Sequence, residues 1–138
     1  MGYRSDVGVA LVFDSAESCD AFIMAYKVKE PEIWKRDVEG LWYRAAPDVM
    51  TGMYEDVKWY RGFADVDSVY EMLEFATENF TVAWRLVRIG EEIDDIEVES
   101  EWADDDDSDL SGFQLIDKTY DYVEVHRAVD INASGEPI

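Results

Sequence analysis

The chain has 138 residues, 48 % of them hydrophobic and 14 % aromatic, with a formal net charge of −21. That length predicts a single domain with a sizeable core, and five Trp, eight Tyr and six Phe exclude an intrinsically disordered acidic protein. Such a surface repels nucleic acid and anionic membrane, which leaves basic proteins and cations as electrostatic partners.

No run approaches the ~18 apolar residues that span a bilayer. The opening MGYRSDVGVALVFD has neither the basic start nor the small-residue cleavage site of a secretory signal. Asp6 stands where a myristoylation motif has Ser or Thr. A single Cys19 rules out an internal disulfide and fits a reducing compartment. The expectation is a cytoplasmic protein.

Val7 to Phe13 is a short apolar run rich in β-formers, read as a buried strand. Asp14 is expected to cap a helix, with Glu17 three residues on as its capping-box partner. Ala16, Cys19, Phe22, Ile23 and Tyr26 fall on one helical stripe, which makes Cys19 a core residue rather than a nucleophile. The helix fades near Val28, before Glu30-Pro31.

Residues 30–52 are broken by Pro31, Gly40, Pro47 and Gly52, with Leu41-Trp42-Tyr43 as a short strand. Met53 to Tyr60 is a further strand, followed by a turn at Arg61-Gly62. Asp65 or Asp67 caps a second helix with the stripe Val66, Val69, Tyr70, Leu73 and Ala76, stopping at Asn79. Thr81 to Ile89 is a strand ending at Gly90. From Ile96 to Trp102 the pattern alternates: Ile96, Val98, Ser100 and Trp102 on one face, Glu97, Glu99 and Glu101 on the other. Residues 103–112 read as a loop, 113–116 and 120–127 as a closing pair of strands, and 130–138 as a frayed end. The fold class is α+β: residues 1–129 form one domain, a mostly antiparallel sheet with two helices on one face.

Between Glu91 and Asp109 stand twelve Asp and Glu residues in nineteen positions, without Lys or Arg. They supply −12 of the −21, leaving −21 + 12 = −9 for the rest of the chain. On a strand, Glu97, Glu99 and Glu101 repeat every ~7 Å, a spacing compatible with a phosphate backbone of one charge per ~3.4 Å of axis per strand on a longer helical path. The bland reading is the solvated face of an amphipathic strand followed by a solubilising loop.

Three blocks, Gly2-Tyr3-Arg4-Ser5-Asp6-Val7, Val57-Lys58-Trp59-Tyr60 and Arg88-Ile89-Gly90-Glu91-Glu92 with Asp94-Asp95-Ile96-Glu97, occur in an order that resembles a group of small acidic proteins encoded by bacteriophages and prophages. The resemblance covers residues 1–13 and 53–127. It implies a phage product working in the bacterial cytoplasm, and brings no assigned activity or functional residue with it. It also implies that Asp94, Asp95 and Glu97 belong to the shared domain, while Asp104–Asp107 are this chain's own.

Asp105, Asp107 and Asp109 have the first three spacings of a calcium loop, but Leu110 and Ile116 stand where it needs Gly and Glu. One His and one Cys exclude a zinc cage. His126 alternates with Val123 and Val125 and has no framed nucleophile beside it. No nucleophile elbow, P-loop or G-x-G-x-x-G occurs. The expectation is therefore no enzyme, no metal and no cofactor.

Trp34, Trp42 and Tyr43 lie near Lys27, Lys29, Lys35, Arg36 and Arg44, a set suited to base stacking. The net charge argues against direct nucleic-acid binding, and packing of a sheet edge is the simpler reading.

The partner-binding residues expected are Glu97, Glu99, Glu101, Asp104, Asp105, Asp106, Asp107 and Asp109. Glu91, Glu92, Asp94 and Asp95 form the flank, and Trp102 is an aromatic anchor. The function they suggest is host-directed inhibition: a DNA or RNA mimic that occupies a basic, nucleic-acid-binding host protein, with a homodimer able to lengthen the surface. The alternative is a non-catalytic interaction or assembly module, bound through a sheet edge and aromatics, whose acidity serves solubility only.

Overall fold

Ser5–Phe13 (β1) lies at the centre of the fold and is buried along nearly its whole length. The computed structural model describes residues 4–60, 62–91, 95–103, 112–125, 129–131 and 135–138. Val49–Val57 (β3) and Val82–Ile89 (β4) flank β1 on its two sides, both antiparallel. Outside them lie Trp42–Ala46 (β2), beside β3, and Ile96–Ala103 (β5), beside β4. The two-residue Glu136–Pro137 (β8) pairs with β2 and completes a six-stranded sheet in the order β5-β4-β1-β3-β2-β8.

Burial on both faces explains why β1 reads as a continuous apolar run. Val7, Val9, Leu11 and Phe13 point to one side, where they meet Cys19, Phe22 and Tyr26 of the helix Ala16–Lys29 (α1). Val69, Met72, Leu73 and Ala76 of Ala64–Asn79 (α3) complete that core. Ala10 and Val12 point the other way and pack with Leu115, Val123 and their neighbours. The α+β architecture, a single domain on a mostly antiparallel sheet with two helices on one face, is as expected.

Several boundaries differ. Ser15, not Asp14, caps α1: its extended backbone lets the hydroxyl accept from the Ser18 N–H at 3.1 Å, while the Asp14 N–H bonds the Thr81 carbonyl. Phe63 occupies the cap of α3 and makes no side-chain cap bond. Asp65 and Asp67, expected as caps, lie inside its first turn, where carboxylates suit the helix dipole. The unreadable stretch after α1 holds a three-residue helix, Pro31–Ile33 (α2), and a π-helical turn, Trp34–Val38. The strand expected at 53–60 starts earlier, at Val49, because Val49, Met50 and Thr51 pair with β1.

Residues 113–116 are not a strand. They belong to the helix Gly112–Thr119 (α4), which places Leu115 and Thr119 in the interior one turn apart. In place of the closing pair stands a small hairpin, Val123–Val125 (β6) with Val129–Ile131 (β7). The end of the chain, expected to fray, joins the sheet instead. The Ile138 N–H bonds the Trp42 carbonyl at 2.9 Å, and the Gly40 N–H bonds the Ile138 carbonyl at 3.2 Å.

Candidate protein-docking site

Directly opposed residues of an antiparallel pair share a face. Glu97 faces Arg88, Glu99 faces Leu86 and Glu101 faces Trp84. Leu86 and Trp84 belong to the helix-side core, so the three glutamates stand on the same side of the sheet as α1 and α3. Ile96, Val98, Ser100 and Trp102 face the other side.

Arg88 ties the root of β5 down. Its guanidinium is almost fully buried and donates to the Ser5 hydroxyl at 2.9 Å and to the two Asp95 oxygens at 3.0 and 2.6 Å. Glu97 adds an ion pair at 2.9 Å. Hydrogen bonds to Asp95, ahead of those to Glu97, hold the Arg88 proton more tightly than usual. Asp95 thus holds the β4–β5 connection to Arg88.

Further along the strand the carboxylates meet α3. The Tyr70 hydroxyl donates to Glu99 at 2.8 Å. Tyr70, Glu74, Glu99 and Glu101 surround an open cleft of about 730 Å³ that Trp84 also lines. Trp84 is only 5 % exposed, and its indole Nε1 has no acceptor among the described residues. A buried donor of that kind is uncommon and costly.

Glu71, Glu74 and Glu78 lie on the exposed face of α3, one helical turn apart. With Glu30, Tyr26 and Phe75 they line a second groove of about 340 Å³ between α3 and α1, where Lys29 lies over the Phe75 ring at 5.9 Å and pairs with Glu30 at 3.6 Å. The helix-side surface therefore carries two carboxylate rows, one on β5 and one on α3. The second row was missed, although its i, i+3, i+7 spacing is visible in the sequence.

Of the expected flank, Glu91 is exposed and accepts the Arg4 backbone N–H at 2.7 Å. Glu92, Asp94, Asp104, Asp105, Asp106, Asp107 and Asp109 lie outside the described residues, as does His126. Trp102 is 45 % exposed on the face opposite the glutamates. Ile96 and Val98 beside it are 43 % and 46 % exposed, so the apolar face of β5 is not core.

Trp34 and Trp42 are buried and cannot stack bases or anchor a partner. The Trp42 indole N–H donates to the Tyr54 hydroxyl at 2.7 Å, which donates in turn to the Asp37 carbonyl at 2.8 Å. Burial pushes the Cys19 thiol up to about 11, which makes it a poor nucleophile at neutral pH. Among the described residues no group of three His, Cys, Asp or Glu side chains is arranged to hold a metal ion, and no helix is long and apolar enough to cross a membrane. Comparison with protein-family models, curated proteins and solved structures finds no match.

Proposed function

We propose that this is a non-catalytic, phage-encoded inhibitor that occupies a basic nucleic-acid-binding protein of the bacterial host, in the cytoplasm, through the acidic surface of β5 and α3. The observation that carries the reading is the register of β5: it sets Glu97, Glu99 and Glu101 on the helix side, where Glu74 of α3 shares a cleft with Glu99 and Glu101, while Glu71 and Glu78 line the neighbouring groove. One row repeats at ~7 Å along the strand and the other at ~5–6 Å between helical neighbours. Both suit side chains that grip phosphates spaced at ~3.4 Å of axis per strand on a longer path.

The helix-side carboxylates of β5 and α3, on a chain with net charge −21, attract a basic partner over a distance and speed encounter. The phage setting comes from the resemblance of the three sequence blocks.

The test is retention of bacterial lysate proteins on the immobilised chain. The expected set is basic, nucleic-acid-binding proteins that are released by added duplex DNA and by ~1 M salt, at which the Debye length is ~3 Å. Retained proteins that neither DNA nor salt displaces would contradict the mimic and favour an interaction module whose acidity serves solubility.

A further inference from the structure

We infer that β5 is a docking strand whose outer edge pairs with an extended segment of the partner, one in which basic and apolar residues alternate. The inference rests on the acidic-surface reading above and adds how the partner is held.

β5 is the terminal strand of the sheet, eight residues long, and among the described residues no strand pairs with its outer side. Such an edge offers a row of backbone N–H and C=O groups, the template that an added peptide strand uses. Natural edges are commonly protected by being short or bulged; β5 is neither, with an unbroken register against β4 from Ile96 to Ala103.

The two faces of β5 set the chemistry of the occupant. An added strand has the same period of two, so its alternate side chains fall beside Glu97, Glu99 and Glu101 on one face. The others fall beside Ile96 and Val98, which are 43 % and 46 % exposed. A segment alternating Lys or Arg with Val, Ile or Leu satisfies both. A second copy of β5 does not, because antiparallel pairing would oppose glutamate to glutamate, and like charges across a pair are destabilising.

The cleft behind the strand supplies the independent observation. Trp84, only 5 % exposed, lines it beside Tyr70, and its buried indole N–H has no acceptor among the described residues. Carboxylates alone would call for a simple cation. The Trp84 and Tyr70 rings call for an apolar surface as well, and a Lys or Arg of an edge-paired peptide brings both: an ammonium or guanidinium for Glu74, Glu99 and Glu101, and an aliphatic stem for the rings. The aliphatic stem of a Lys or Arg entering between them has the Tyr70 ring to lie on.

The probe is a short acetylated and amidated peptide alternating Lys and Val, titrated into the isotopically labelled protein. Backbone amides of β5 should shift together with the Trp84 indole N–H, assigned by its loss in Trp84→Phe. N-methylation of one alternate set of peptide amides should weaken binding at least about tenfold, and methylation of the other set should not, because only one set faces the edge. Equal binding of both methylated peptides, or of a peptide with its lysines in one block, overturns strand docking. It leaves acidic capture standing if lysate proteins are still retained and released by DNA. Failure of the alternating peptide to bind at low salt overturns strand docking as well; loss of DNA-displaceable lysate capture, read separately, overturns the acidic-surface reading itself.

Discussion

The two edges of the sheet are finished in different ways. At one, the chain returns to close its own sheet: Glu136–Pro137 pairs with β2, and Pro137, which has no N–H, sits on the outside. At the other, β5 runs eight residues without a further partner among the described residues and carries a glutamate at every second position of one face. The closed edge backs onto buried Trp42 and Trp34. The open edge has on one face a cleft lined by Trp84, whose indole N–H has no acceptor among the described residues, and on the other half-exposed Ile96 and Val98. One edge is closed by packing and the other is left open and charged, so the two ends of the sheet differ in chemistry.

The largest effect should come from breaking the closed edge. Trp42→Ala removes a fully buried indole and leaves the Tyr54 hydroxyl without its donor; about 3–5 kcal/mol of stability should go, read as a fall in the urea midpoint.

Alkali should weaken the same end. Burial raises Cys19 to about 11 from its ordinary 9.0, against the opposing pull of Arg44, and raises Tyr26 to about 12. A raised folded pKa means that the folded chain keeps its proton while the unfolded chain loses it, so stability falls as pH climbs from 9 to 11. The loss is about 2 kcal/mol by pH 11 for Cys19, and Cys19→Ala should lack the part that begins near pH 9 while keeping the Tyr26 part that begins near pH 10.

Gly135→Ala separates β8 from β2. An added Cβ would meet the Arg44 carbonyl oxygen and its carbon, and no flexible side chain is there to yield. About 1–3 kcal/mol is the expected cost, together with faster hydrogen exchange at Ile138, whose N–H bonds the Trp42 carbonyl.

The smallest structural effect belongs to the open edge. Glu101→Lys changes an exposed side chain and should alter stability by no more than about 0.5 kcal/mol, while lowering retention of basic proteins. A stability loss as large as that of Gly135→Ala would mean that the two edges are not distinct in kind.

The legibility of these features in the sequence follows the range of the interactions behind them. β1, α1 and α3 are set by local periodicity: Cys19, Phe22 and Tyr26, or Val69, Leu73 and Ala76, mark their faces without reference to the rest of the chain. The stretch 30–52 resists reading because Trp34–Val38 is a π-helical turn and β2 is bulged between Arg44 and Ala46, and neither follows a regular period. Residues 113–116 are too few to tell a period of two from one of 3.6; packing of Leu115 beneath the sheet decides for the helix.

The candidate site divides in the same way. The alternation of Glu97, Glu99 and Glu101 is local and visible. Which side of the sheet they occupy depends on pairing with β4, and that brings in Tyr70, Glu74 and Trp84 from elsewhere in the sequence. Asp95 looked like one more surface carboxylate because its partner Arg88 lies across the β4–β5 connection.

If the carboxylates of β5 capture a basic, nucleic-acid-binding partner, reversing their charge abolishes the capture. The most direct measurement compares the retained, DNA-displaceable set of host lysate proteins for the native chain and for E97K/E99K/E101K, with circular dichroism confirming that both are folded. The account predicts that the native chain retains that set and the folded variant loses it. Equal retention by the two would contradict it.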